Sequence, residues 1–257
     1  MKLPFEDQGK GPVVVLLHGF PLDRSMWSAQ AAALSARYRV IVPDLRGHGR
    51  AKADPGVYTM DLMADDVIET LDDLGVRDVV LGGLSMGGYV ALSAILRYPD
   101  RFRALILMDT RAGVDAPEAG RARLMMAAKV EAEGDVTPVV DGMIPKLFAP
   151  STFTVNPALV SSTRALMMRA APGTVASALR GMAARPDRTE DLPGIAFPTL
   201  VIVGEHDAIT PPADAEAMAA ALPDDRLEII RGAGHLAPME RPDVVNQAIL
   251  SFLDALD

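Results

Sequence analysis

Ser85 stands in Gly83-Leu84-Ser85-Met86-Gly87, directly after the apolar run Val79-Val80-Leu81 and directly before an apolar-periodic stretch from Met86 to Arg97. A serine held on a tight turn between strand and helix needs small residues two positions before and two after it, where side chains would clash. The helix start then turns backbone N–H groups and the positive end of its dipole toward a reacting oxygen. The chemistry in view is nucleophilic attack on an acyl carbon. The plain structural alternative is a glycine-rich turn with a helix-capping serine.

A serine hydroxyl attacks efficiently only when a base removes its proton. Of the four histidines, His235 follows the run Leu227 to Ile230 and lies in Gly232-Ala233-Gly234-His235. That loop can carry its ring over the carboxyl ends of parallel strands, where open α/β sheets gather their ligands. His18, His48 and His206 occupy other loops, and none pairs with a His or carboxylate at helical metal-ligand spacing. They read as loop histidines bonded to backbone, and no metal is called for.

The base needs a carboxylate to hold its tautomer and stabilise the imidazolium. Asp207, in Gly204-Glu205-His206-Asp207 after the run Leu200 to Val203, meets that need. Asp109, which ends the run Leu105 to Met108, is the rival, and the chain order Ser, Asp, His favours Asp207. Gly82-Gly83 with Gly87-Gly88 lacks the Lys-Ser or Lys-Thr of a phosphate loop. Asp44 reads as a residue that ties down its own turn.

These residues need elements to position them. Apolar runs at Val13–Leu17, Val40–Val42, Val79–Leu81, Leu105–Met108, Leu200–Val203 and Leu227–Ile230 read as strands. Helical patterns lie between them at about Trp27–Ala36, Asp61–Leu74, Met86–Arg97 and Pro212–Ala221, and a last one runs from Pro242 to Leu256. The alternation predicts a mainly parallel, doubly wound α/β sheet with helices on both faces. It stops between about Thr110 and Pro193, where helical patches such as Gly120–Glu133 and Ser161–Ala171 are punctuated by prolines. The expected organisation is a core of residues 1–109 and 194–257 with a helical cap insertion at 110–193. Six of the 14 methionines fall in the insertion, where they serve packing or an adaptable apolar pocket. Its arginines at 121, 123, 164, 169 and 180 read as solvated, and one directed inward would select a carboxylate-bearing substrate.

The assembled elements resemble the α/β-hydrolase superfamily over nearly the whole chain outside the insertion. The resemblance rests on His18-Gly19-Phe20, Asp44-Leu45-Arg46-Gly47-His48-Gly49, the Ser85 turn, Gly204-Glu205-His206-Asp207 and Gly234-His235. It is strongest toward cap-bearing esterases, 3-oxoadipate enol-lactonase-like hydrolases and cofactor-free haloperoxidase or perhydrolase relatives. It implies a catalytic triad of Ser85, Asp207 and His235, an oxyanion hole from the backbone N–H groups of Phe20 and Met86, and His18 as a loop brace. It also implies no cofactor, no metal and a small-molecule ester or lactone as substrate. Perhydrolysis is an alternative, since Pro21 follows Phe20 and such relatives tend to carry proline there. A C–C bond hydrolase on the same triad is another, and a non-catalytic ligand-binding member of the fold is the reading from a different class. Members usually have two strands before the one ending in His-Gly, and the short segment before Val13 implies that one or both edge strands are missing or shortened.

The 257 residues carry a net charge of −9 with scattered Lys and Arg, so a nucleic-acid partner is not expected. Cysteine is absent, which excludes disulfides and thiolate chemistry and fits a cytoplasmic location. Acidic residues and a proline near the start argue against a signal peptide, and no apolar run is long enough for a membrane helix. No feature of the sequence fixes the oligomeric state.

Overall fold

The structure, a computed structural model, describes residues 1–256. Seven strands form one sheet: β1 (Phe5–Gln8), β2 (Val13–Leu17), β3 (Arg39–Pro43), β4 (Val79–Leu84), β5 (Phe102–Met108), β6 (Thr199–Gly204) and β7 (Asp225–Ile230), in the order β1-β3-β2-β4-β5-β6-β7. All neighbouring pairs are parallel except β1 with β3. The order winds outward from β2 in both directions, as expected of a doubly wound sheet. β4 and β6 are buried along their whole length. This explains why they read as unbroken apolar runs without alternation.

β1 is the element that the sequence pattern does not announce. Its residues Phe5-Glu6-Asp7-Gln8 pair with Pro43 to Val40 at an edge and are mostly exposed, so burial leaves no apolar signature there. One antiparallel edge strand is therefore present before β2.

The helices of the core are α1 (Ser28–Leu34), α2 (Met60–Asp73) and α3 (Met86–Arg97). The insertion contributes α4 (Pro117–Glu133), α5 (Thr137–Leu147), α6 (Thr152–Val155), α7 (Pro157–Met167) and α8 (Pro172–Ala183). The core resumes with α9 (Pro212–Ala221), α10 (Ala237–Glu240) and α11 (Pro242–Asp254). In α11, Val245, Ile249, Phe252 and Leu253 are buried, a stripe at helical spacing that faces the core. The expected helix at Trp27–Ala36 instead begins as a 3₁₀ turn over Arg24–Trp27, capped by the Asp23 carboxylate on the Ser25 N–H. Among the described residues no helix is long and apolar enough to cross a membrane.

The insertion leaves and rejoins the core at one place. Arg188 N–H donates to the Ala112 carbonyl at 3.0 Å, and Asp115 pairs with Arg123 at 2.6 Å and Arg185 at 3.0 Å. Burial alone would raise the Asp115 pKa. The two guanidiniums outweigh it and hold the group at about 2. Arg185 also stacks over the Tyr89 ring of α3 at 4.3 Å.

Candidate active site

Register decides what meets at the sheet edge. Leu17 pairs with Gly83, Leu84 with Met108, Met108 with Ile202, and Gly204 with Ile230. The loops that follow β2, β4, β5, β6 and β7 therefore emerge side by side, and they carry Phe20, Ser85, Asp109, Asp207 and His235.

Ser85 has φ 54° and ψ −113°, a left-handed conformation that costs a non-glycine residue about 1–3 kcal/mol. The surroundings enforce it. A Cβ on Gly83 would fall 2.2 Å from the Gly87 carbonyl oxygen, and one on Gly87 would fall 2.3 Å from that of Leu17. The Ser85 N–H donates to the Met108 carbonyl, while its own carbonyl accepts from the Gly88 N–H and from the Thr110 hydroxyl, each at 2.9 Å. The serine is thus wedged between β2, β5 and the start of α3.

The Gly19 backbone lies beside it: a Cβ there would sit 3.6 Å from Ser85 Cβ. The Gly19 N–H donates to the Met26 thioether at 3.4 Å. His18 is fully buried, with Leu45 N–H donating to its Nε2 at 2.9 Å and its Nδ1 3.0 Å from the Gly19 carbonyl. Burial lowers its pKa to about 4, so the ring is neutral and bridges two loops. Among the described residues neither the Phe20 nor the Met86 backbone N–H has a hydrogen-bond acceptor.

His235 is buried, and its Nδ1 lies 2.8 Å from Asp207 Oδ2. Asp207 also accepts the Ile209 and Thr210 N–H groups on Oδ1, at 2.8 and 3.0 Å, and the Thr210 hydroxyl on Oδ2 at 2.7 Å. Burial would raise its pKa, but the His235 charge and these hydrogen bonds win and lower it. An ionised Asp207 fixes the Nδ1–H tautomer of His235 and leaves Nε2 as the basic nitrogen. Asp109 does not bond to a histidine, and its carboxyl faces the end of β6 instead.

Two glycines let the histidine loop close on its neighbours. A Cβ on Gly204 would lie 2.0 Å from the Gly234 carbonyl oxygen, and one on Gly234 would lie 2.6 Å from the Ala149 nitrogen of the insertion. Thr210 and Glu240 escaped the sequence reading. The Asp207-x-x-Thr210 spacing is a local turn signal for the first. Glu240 has no local signal for its tie to the insertion, since Ala149 and Thr152 lie 91 and 88 residues away in sequence.

His48 Nδ1 faces the Arg46 carbonyl at 3.0 Å, and His206 is exposed. Asp44 accepts the Arg24 and Arg50 N–H groups and pairs with the Arg24 guanidinium, so it ties its turn. Among the described residues no group of three His, Cys, Asp or Glu side chains is placed to hold a metal. A cavity of about 470 Å³ opens against Pro21 and Leu22, walled by the Gly47–Arg50 turn and by Leu166 and Arg169 of the insertion.

Residues 12–242 match the family model described as alpha/beta hydrolase fold. The chain belongs to the α/β-hydrolase family. A thermophilic esterase from Thermogutta terrifontis, solved with malate bound, superposes with a TM-score of 0.96 at 49% identity, over 99% of this chain and 93% of that one. The 3-oxoadipate enol-lactonase 2 of Acinetobacter baylyi is 28% identical over 94% of this chain and 88% of its own. A bromoperoxidase from Bacillus anthracis superposes with a TM-score of 0.86 at 27% identity, over 97% and 94% of the two chains. As an α/β-hydrolase with esterase, lactonase and haloperoxidase relatives, the chain is supported as a hydrolase.

Proposed function

We propose that this chain is a serine hydrolase cleaving a small-to-medium carboxylic ester or lactone, with Ser85 as nucleophile, His235 as base and Asp207 as its partner. The observation that carries the reading is the buried Asp207–His235 pair, 2.8 Å apart, on the same sheet edge as the strained Ser85 turn. Ser85 Oγ adds to the carbonyl carbon while His235 takes its proton. The oxyanion is held by the Phe20 and Met86 N–H groups, both free of internal acceptors. Collapse expels the alcohol, which receives the proton from His235 and leaves an acyl-enzyme. Water, deprotonated by the same histidine, then releases the acid and restores Ser85. The helical insertion acts as a cap over this edge.

In this reading the substrate acid draws no counter-ion from five arginines of the insertion. Arg121, Arg123, Arg164, Arg169 and Arg180 are each paired with an acid, namely Glu118, Asp115, Asp141, Asp23 and Glu131. Met126, Met143, Ile144, Leu159 and Val160 of the insertion are apolar and partly buried against the hydrophobic cluster. A 3-oxoadipate enol-lactone, which keeps one free carboxylate, would find its counter-ion already engaged in each of these five pairs.

The test is turnover of p-nitrophenyl esters, aryl esters and small lactones by the wild type, Ser85→Ala and His235→Ala. Each variant loses several orders of magnitude while remaining folded, because triad members act as a unit. Near-normal turnover by folded Ser85→Ala refutes the reading. Perhydrolysis, with hydrogen peroxide in place of water as acyl acceptor, is favoured by Pro21 beside Phe20 and by the bromoperoxidase likeness. It is read as peracid formed when peroxide is added to the same assays.

A further inference from the structure

Glu240 joins three parts of the molecule that must keep a fixed relation during catalysis. One carboxylate oxygen accepts the Gly234 N–H at 2.6 Å, the peptide next to His235. The other accepts the Ala149 N–H at 3.0 Å and the Thr152 hydroxyl at 2.5 Å, both from the insertion. Its own helix, α10, is held to the core by the buried Gln30, whose side-chain N–H donates to the Pro238 carbonyl at 3.0 Å. A further bond, Leu236 N–H to the Leu147 carbonyl at 3.1 Å, joins the histidine segment and the insertion on the far side of His235.

We propose that Glu240 is a positioning residue for His235: its carboxylate sets the histidine loop against the insertion, so that the seating of the insertion and the aim of the imidazole are one adjustment. The proposal rests on the serine-hydrolase reading above. Only a carboxylate suits the position, because all three of its partners donate and it must accept on both oxygens. A glutamine presents one accepting oxygen and one N–H₂ group. It therefore leaves either Gly234 or the Ala149 and Thr152 pair facing a donor. Release of either side lets the loop carrying His235 shift, and a displacement near 1 Å costs about a hundredfold in rate where geometry is exacting.

The experiment compares Glu240→Gln, Thr152→Val and Thr152→Ser for kcat, KM and the rate of labelling by a serine-reactive fluorophosphonate, with Ser85→Ala alongside. For Glu240→Gln, kcat falls about tenfold to a hundredfold while KM changes less than about threefold. Labelling slows in proportion, because it too needs the base. Thr152→Val, which removes one bond on the insertion side, gives a smaller loss in kcat, and Thr152→Ser recovers it. A purely structural role would lower Tm and leave kcat per folded molecule unchanged. Unchanged kcat in either folded Glu240→Gln or folded Thr152→Val overturns the proposal. If Glu240→Gln does not fold, Thr152→Val and Thr152→Ser decide. Turnover or labelling of Ser85→Ala at the wild-type rate is a separate result, and it removes the serine reading itself.

Discussion

Asp109 Oδ1 accepts the Gly204 N–H at 2.8 Å, so the carboxyl at the end of β5 is tied to the end of β6 and not to a histidine. Burial, and then the Asp207 charge, push its pKa well above the usual carboxylate range, which favours the protonated form. The two carboxyls that compete in the sequence thus have opposite electrostatic settings. Asp207→Asn lowers kcat/KM by about 10⁴ through the wrong histidine tautomer. Asp109→Asn keeps an acceptor for Gly204 and loses less than about tenfold. Steady-state kinetics on both variants check the ranking, and its reversal would move the triad acid to Asp109.

The pairing of Arg121, Arg123, Arg164, Arg169 and Arg180 makes charge on the substrate acid a direct test. A p-nitrophenyl ester of a neutral monocarboxylic acid has a higher kcat/KM than the half-ester of a dicarboxylic acid of equal length. Burying an unpaired carboxylate costs several kcal/mol, so the ratio exceeds about tenfold. Preference for the half-ester would direct attention to Arg50, which lines the cavity beside Pro21 and has no ion pair among the described residues.

Acid should unfold the chain through two histidines outside the proposed triad. The His18 and His48 rings lie 5.1 Å apart and are buried. Burial sets them at about 4 and about 3, below the unfolded value near 6.5. The unfolded chain therefore binds their protons first, and the stability they contribute is complete above about pH 6.5 and drains away as pH falls toward 4 and then 3. Each adds up to about 1.4 kcal/mol per pH unit to the slope in that window. Urea unfolding from pH 7 to 4.5 measures it. His48→Gln has a slope shallower by about one proton, and equal slopes would show that His48 does not titrate on unfolding.

Two glycine-to-alanine changes separate the site from its surroundings. Gly87→Ala puts a Cβ 2.3 Å from the Leu17 carbonyl oxygen and destabilises the protein by about 1–3 kcal/mol, with loss of turnover as the Ser85 turn shifts. Gly120→Ala in α4 meets nothing within 4 Å and raises stability by about 0.5–1 kcal/mol. Thermal unfolding of both gives the contrast, and a tolerated Gly87→Ala would count against a tightly wedged serine.

What the sequence conveyed depended on burial and on distance along the chain. β4 and β6 were legible because both faces are covered, whereas β1 was not because an exposed edge places no demand on hydrophobicity. α3 was legible from Met86 to Arg97 since glycines and a turn bracket it. Within the insertion, α4 begins at Pro117 and α7 ends at Met167, both offset from the patches read by pattern, because prolines that open helices resemble prolines that break them. Ser85, Asp207 and His235 announce themselves through the small residues around them. Glu240 could not, because its role arises only when α10 meets a segment about ninety residues away, as the fold subsequently arranges.

The single bond between Ala112 and Arg188 has a consequence for how this protein can be altered. Because the excursion starts and finishes at one point, β5 and β6 experience it as a short closed loop, and closure entropy grows only slowly with what lies beyond. Grafts that keep the stubs through Asp115 and from Arg185 onward can differ in length and shape without disturbing strand register. If Glu240 anchors His235 as proposed, a graft must also offer two donors where Ala149 and Thr152 now stand, and an acceptor for the Leu236 N–H where Leu147 now stands. Domain recombination between relatives, by nature or by design, thus has a defined seam and a defined fitting.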